Sequence, residues 1–90
     1  MKSANLKPLI EQTFKEDALR VHMVGDSFIY LGYNRNPIAA DDDPTWLVKL
    51  IEVGTTGSGV TYYSYFAGKG KYNQKWSEHL SLTYENFNNI

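Results

Sequence analysis

The apolar positions repeat with a helical period at the start of the chain and with a period of two over most of the remainder. Leu6, Leu9, Ile10, Thr13 and Phe14 fall at i, i+3, i+4, i+7 and i+8, the spacing of one stripe along a helix. Asn5 stands where an N-cap would, and Pro8 falls in the first turn, where its missing N–H costs little. Lys7, Glu11, Gln12, Lys15 and Glu16 face outward on this reading. A helix of about ten residues is marginal alone and has to dock on something, either the rest of the domain or a partner. Residues 1–18 are therefore read as an N-terminal helix or docking arm, and residues 19–90 as a small antiparallel β domain.

Within that domain Leu19, Val21 and Met23 alternate with Arg20, His22 and Val24. Gly25-Asp26-Ser27 carries turn chemistry, and Phe28 to Tyr33 is aromatic and branched, so the stretch predicts a hairpin. Residues 34–45, NRNPIAADDDPT, read as a loop, because Pro37 and Pro44 lack donors and bias their predecessors away from helix. Trp46 to Val53 and Val60 to Ala67 flank the Gly/Thr/Ser stretch 54–59 and predict a second hairpin. In its second strand Tyr62, Ser64 and Phe66 share one face and Thr61, Tyr63 and Tyr65 the other. Neither face is purely polar, so both are expected to be at least partly covered, a neighbouring subunit being one available cover. Gly68-Lys69-Gly70-Lys71 breaks the strand. Tyr72 to His79 predicts a helical turn, Leu80 to Tyr84 a last strand, and Glu85 to Ile90 a polar tail. The expected fold is mainly β: a small antiparallel sheet of β-hairpins, one short N-terminal helix, and a helical turn near Trp76.

Composition supports a packed core, with 42% hydrophobic and 14% aromatic residues, too many for a disordered chain. Ninety residues suit a single domain of modest stability. The formal charge of −1 gives no whole-protein attraction to nucleic acid or to an anionic membrane. No apolar run approaches the roughly 20 residues that a membrane helix needs. The first residues lack the pattern of a signal peptide. There is no cysteine, which removes disulfides, thiolate metal sites and cysteine nucleophiles.

Candidate chemistry is sparse. Asp41-Asp42-Asp43 could offer oxygens to calcium or magnesium, but it lacks the alternating spacing and distant glutamate of a calcium loop, and a solvated acidic loop is the preferred reading. His22 and His79 are the only histidines, and no short motif places them on one element. Ser58 in Gly57-Ser58-Gly59 lies between two strands, whereas a nucleophile elbow needs GxSxG between strand and helix. The turn at 68–71 lacks the phosphate-loop pattern. Tyr62, Tyr63, Tyr65 and Tyr72 beside lysines suggest a stacking surface for single-stranded nucleic acid, yet hairpins carry tyrosine for packing alone and the net charge opposes the idea. Trp46 and Trp76 are read first as core residues, with an interface anchor as the functional alternative. No catalytic residue, metal ligand or cofactor is expected, and the chain is not expected to be an enzyme.

One resemblance adds to this picture. Tyr30-Leu31-Gly32-Tyr33, a Pro/Ala-containing loop and Trp46-Leu47-Val48-Lys49-Leu50-Ile51 come first. A variable hairpin, Tyr65-Phe66-Ala67-Gly68, Tyr72 four before Trp76, and Ser81-Leu82-Thr83-Tyr84 come after. In that order they resemble small virion-associated structural proteins of tailed bacteriophages; the first 27 residues depart from the pattern. The resemblance implies a structural or accessory part of a capsid, neck or tail, made in the bacterial host cytoplasm and carried in the virion. It implies partners among other virion proteins, and copies of itself, with no membrane role and with nucleic acid disfavoured. The residues expected to carry protein binding are Leu6, Ile10, Phe14, Trp46, Tyr62, Tyr63, Tyr65 and Trp76. A single-stranded nucleic-acid-binding module and a phage-encoded inhibitor of a host enzyme are the alternatives.

Overall fold

A computed structural model describes residues 18–57 and 59–86. The expected N-terminal helix, with Leu6, Ile10 and Phe14, lies outside the described residues, as do Ser58 and residues 87–90.

The described chain is a five-stranded antiparallel meander. Strands β1 (Ala18–Val24), β2 (Phe28–Tyr33), β3 (Leu47–Thr56), β4 (Gly59–Ala67) and β5 (Tyr84–Asn86) lie side by side in chain order. Both predicted hairpins form. Gly25 closes the first at φ +60°, a left-handed conformation that glycine adopts without steric cost. The described residues contain no α-helix, and the predicted turn near Trp76 is a 3-10 turn over Trp76–Glu78.

The last strand differs from the expectation. Leu80 to Thr83 alternates in sequence but is not paired, and β5 begins only at Tyr84 and includes Glu85 and Asn86 from the expected tail. The Ser81 N–H and hydroxyl both bind the Glu78 carbonyl, which curls the chain, and Leu82 is drawn into the core. Tertiary packing overrides the local alternation here.

Register sorts the side chains onto two faces. Met23, Ile29, Ile51 and Ser64 form a row on one, the isoleucine face, flanked by Val21, Leu31, Lys49 and Phe66. Ile29, Leu31 and Ile51 are fully buried there, with Ala18, Met23, Tyr33, Val53 and Tyr62 around them. The opposite, tryptophan face carries Arg20, His22 and Val24 on β1, Phe28, Tyr30 and Gly32 on β2, and Val48, Leu50 and Glu52 on β3. Part of it is roofed by the 34–45 loop and the 68–83 segment, which enclose a core of Ala39, Trp46, Val48, Ala67 and Trp76.

The roof is fastened at several points. Trp46 and Gln74 exchange two backbone hydrogen bonds of 2.8 and 3.0 Å. The Trp46 indole N–H donates to the Ala40 carbonyl at 2.8 Å, satisfying the one polar atom of a fully buried side chain. The Arg20 guanidinium lies 5.0 Å from the Trp46 ring centroid while pairing with Asp41 at 2.9 Å. At the start of the roof, Gly68, Lys69 and Gly70 all have positive φ, and the Asn73 and Gln74 side chains lie against Gly68 where a Cβ would sit.

Candidate protein-binding face

The roof covers only half of the tryptophan face. Beyond it, cross-strand pairing sets Val24, Phe28, Glu52 and Tyr63 in one continuous row across β1 to β4. Val24 is 40% exposed, Phe28 38% and Tyr63 45%, so three large apolar side chains face solvent in this row. The Tyr63 ring lies over the backbone of Gly54, where an added Cβ would meet it at 3.2 Å. In the next row Leu50 and Tyr65 are half-buried. The Tyr65 hydroxyl donates to Glu52 Oε1 at 3.0 Å, and this carboxylate pushes the Tyr65 phenol above its ordinary value. The result is an aromatic surface with one carboxylate at its middle.

Of the eight residues expected to bind protein, the five described ones do not share one surface. Leu6, Ile10 and Phe14 lie outside the described residues. Trp46 has no exposed surface and Trp76 is 6% exposed, so both serve the protein's own core and neither presents a surface to a partner. Tyr62 turns to the isoleucine face and packs on its core. Of the five described residues, Tyr63 and Tyr65 share the open surface, and Phe28, Val24 and Glu52 complete it. The exposure of Phe28 was not legible from strand propensity, because alternation assigns a face without saying which half is covered.

A second cluster unites side chains far apart in sequence. His22 Nδ1 and His79 Nε2 are 2.8 Å apart. His79 Nδ1 is 2.8 Å from the Trp76 carbonyl, which can only accept, so this nitrogen carries the proton. In the neutral ring Nε2 is then the acceptor, and His22 Nδ1 donates to it. The His79 ring stacks on Trp76 with centroids 4.0 Å apart and meets Tyr30 edge-on at 5.2 Å. The Tyr84 hydroxyl donates to the His79 carbonyl. Burial, with the Tyr30 phenol alongside, holds the Tyr84 phenol well above its ordinary value. The contacts of His79 with His22, Tyr30 and Tyr84 fasten the 76–79 turn to the sheet.

The aspartate triplet ties its loop to β1 and to the 76–78 turn and braces the loop itself. Asp41 pairs with Arg20, Asp42 accepts from the Ser77 hydroxyl at 2.5 Å, and Asp43 accepts from the Ala40 N–H at 2.9 Å. The three carboxylates turn to three different partners, and among the described residues no three His, Asp or Glu side chains converge as a metal site. At the far end of the sheet Asn34, Arg35, Asn36, Asp43, Thr45 and Tyr72 line an open cleft of about 350 Å³, with the Arg35 guanidinium 4.4 Å from the Tyr72 ring centroid. Tyr72 thus stands apart from the sheet tyrosines, and Tyr62 faces away from Tyr63 and Tyr65, so the four tyrosines form no common stacking surface. No family model, no curated protein and no solved structure matches this chain.

Proposed function

We propose that this protein is a structural or accessory part of a tailed-phage particle, and that it works by gripping another virion polypeptide with the open half of its tryptophan face. The observation that carries the binding role is the exposed row Val24, Phe28, Glu52 and Tyr63. Contiguous exposed apolar side chains on a small domain are a common mark of a protein interface, and aromatic side chains supply much of the binding energy there. The phage setting rests on the resemblance running from Tyr30 to Tyr84. Glu52 refines the partner. A carboxylate buried unpaired is costly, so the surface suits a segment that brings a lysine or arginine to Glu52 between apolar contacts.

The test is mass spectrometry of purified particles with copy number, using wild type, Phe28→Asp, Tyr63→Asp and the exposed control Lys71→Ser. The expected result is a defined copy number for wild type and control and loss of both aspartate variants from the particle, with their far-UV circular dichroism unchanged. Absence of the wild-type protein from particles would remove the virion role and favour the host-enzyme inhibitor. Normal incorporation of both aspartate variants would remove this face.

A further inference from the structure

The cleft at the far end of the sheet is lined by polar side chains from two stretches, Asn34, Arg35, Asn36, Asp43 and Thr45 in the loop after β2 and Tyr72 in the roof. The hydrogen bonds that shape it consume acceptors. The Asn34 amide oxygen accepts the Asn36 N–H at 2.9 Å, and the Asn36 amide oxygen accepts the Ile38 N–H at 3.2 Å. Thr45 Oγ1 accepts from the Asn34 amide at 2.9 Å, and one Asp43 oxygen accepts from the Ala40 N–H. Among the described residues, what stays unused is mostly donors: the Asn36 amide, one Asn34 N–H, the Thr45 hydroxyl proton and the Arg35 guanidinium. The second Asp43 oxygen is left over as an acceptor. Arg35 and Asp43 line one cleft with opposite charges, yet among the described residues neither forms an ion pair. The Arg35 guanidinium instead lies 4.4 Å from the Tyr72 ring centroid. That shelf orders a planar fork before any ligand arrives, which lowers the cost of binding to it.

We propose that this cleft binds a carboxylated sugar, a hexuronate either free or as one unit of a polysaccharide. The unmatched guanidinium needs an anion, and a carboxylate fits its fork through two parallel hydrogen bonds. The unmatched Asp43 oxygen decides which anion. It repels the larger charge of a phosphate but accepts the proton of a neutral hydroxyl. A ligand with one carboxylate among several hydroxyls satisfies both charged groups at once. Its hydroxyl and ring oxygens also supply acceptors for the Asn34, Asn36 and Thr45 donors. A simple carboxylate leaves those donors idle, and a neutral sugar leaves Arg35 unmatched. The cleft volume of about 350 Å³ lies at the low end for small-molecule sites. That suits a single sugar unit better than an element of a protein partner. The cleft follows the last residue of β2, whereas Phe28 of the open row is its first, so this site stands whether or not that row grips a partner.

The test is an amide NMR titration of isotope-labelled full-length protein with glucuronate, against glucose, acetate and inorganic phosphate. The expected result is a saturable shift confined to residues around Asn34, Arg35, Asn36, Thr45 and Tyr72. Its Kd should lie about tenfold or more below that of each comparison ligand, the scale of one charge-assisted hydrogen-bonded pair. Arg35→Gln should raise the glucuronate Kd by about the same factor, and Arg35→Lys, which keeps the charge without the fork, should recover only part. Asp26→Asn, in the exposed turn at the other end of β2, should leave it unchanged. An oligomer of uronic acid units that binds more tightly than glucuronate would assign the site to a polysaccharide, and equal affinity to the free acid. No saturable shift with glucuronate would overturn the proposal. Equal binding of glucose or acetate, equal binding of phosphate as on a plain anion patch, or an unchanged Kd in folded Arg35→Gln would do the same.

Discussion

His22 and His79 stand 57 residues apart in the chain and 2.8 Å apart in the fold. The contact joins the edge strand β1 to the turn that carries Trp76, so it is a tertiary fastening with no sequence-local counterpart. Replacing His22 with Ala leaves the half-buried His79 Nε2 without its donor. The expected loss is about 1–2 kcal/mol of unfolding free energy, the usual cost of orphaning such a group. His22→Gln, whose amide can donate, should recover part of it. Urea denaturation at neutral pH measures both; equal stability of His22→Ala and wild type would show that the pair fastens nothing.

Gly32 sits beneath the Trp76 ring. A Cβ there would come 2.7 Å from Trp76 Cε3 and 3.1 Å from Arg20 Cβ, and the Trp76 ring is also held by its stack on His79. Gly32→Ala should therefore lower stability by about 1–3 kcal/mol through overpacking, although alanine is otherwise harmless in a strand. Near-ultraviolet circular dichroism should change with it, since the displaced group is an indole. An unchanged melting temperature would mean that the roof is looser than its contacts indicate.

The strands were legible in the sequence because alternation and turn residues report directly on them. Both hairpins follow from Gly25-Asp26-Ser27 and the glycines at 54–59. What escaped was everything decided by the roof. Leu80 to Thr83 has the period of a strand but is bent by Ser81 and anchored by Leu82. The tryptophans were legible as core residues, whereas the open row could be found only from register. Phe28, Glu52 and Tyr63 come from three strands, and no spacing in the chain relates them. The paired histidines show the same limit.

The aspartates provide a contrast in how little charge contributes when it is wet. The side chains of Arg20 and Asp41 are 38% and 53% exposed, so their ion pair is screened. Asp41→Asn should change stability by less than about 1 kcal/mol, the range measured for exposed pairs. Excess calcium should leave the melting temperature of wild type unchanged, because each carboxylate already serves a separate partner, on β1, in the 76–78 turn and in its own loop. A calcium-dependent rise in melting temperature would reopen the triplet as a cation site.

Tyr84 gives the fold a sensitivity to alkali. Its phenol is half-buried beside Tyr30 and donates to the His79 carbonyl, so ionisation is disfavoured in the folded state and its pKa lies above the ordinary 10.0. The folded state thus holds this proton more tightly than the unfolded chain does. By linkage the resulting stabilisation is complete below pH 10.0 and is lost as pH rises from there toward the folded-state value. Lys49 acts in the opposite sense, because burial lowers its folded-state pKa from 10.5 and alkali relieves that penalty. The variant Tyr84→Phe separates the two, since Lys49 is common to both proteins. At neutral pH it should lose about 1 kcal/mol with the hydrogen bond to His79. Between about pH 9 and 11 its stability should fall less steeply than that of wild type, and the two curves should converge. Parallel curves from urea titrations across that range would show that Tyr84 ionises as freely in the fold as outside it.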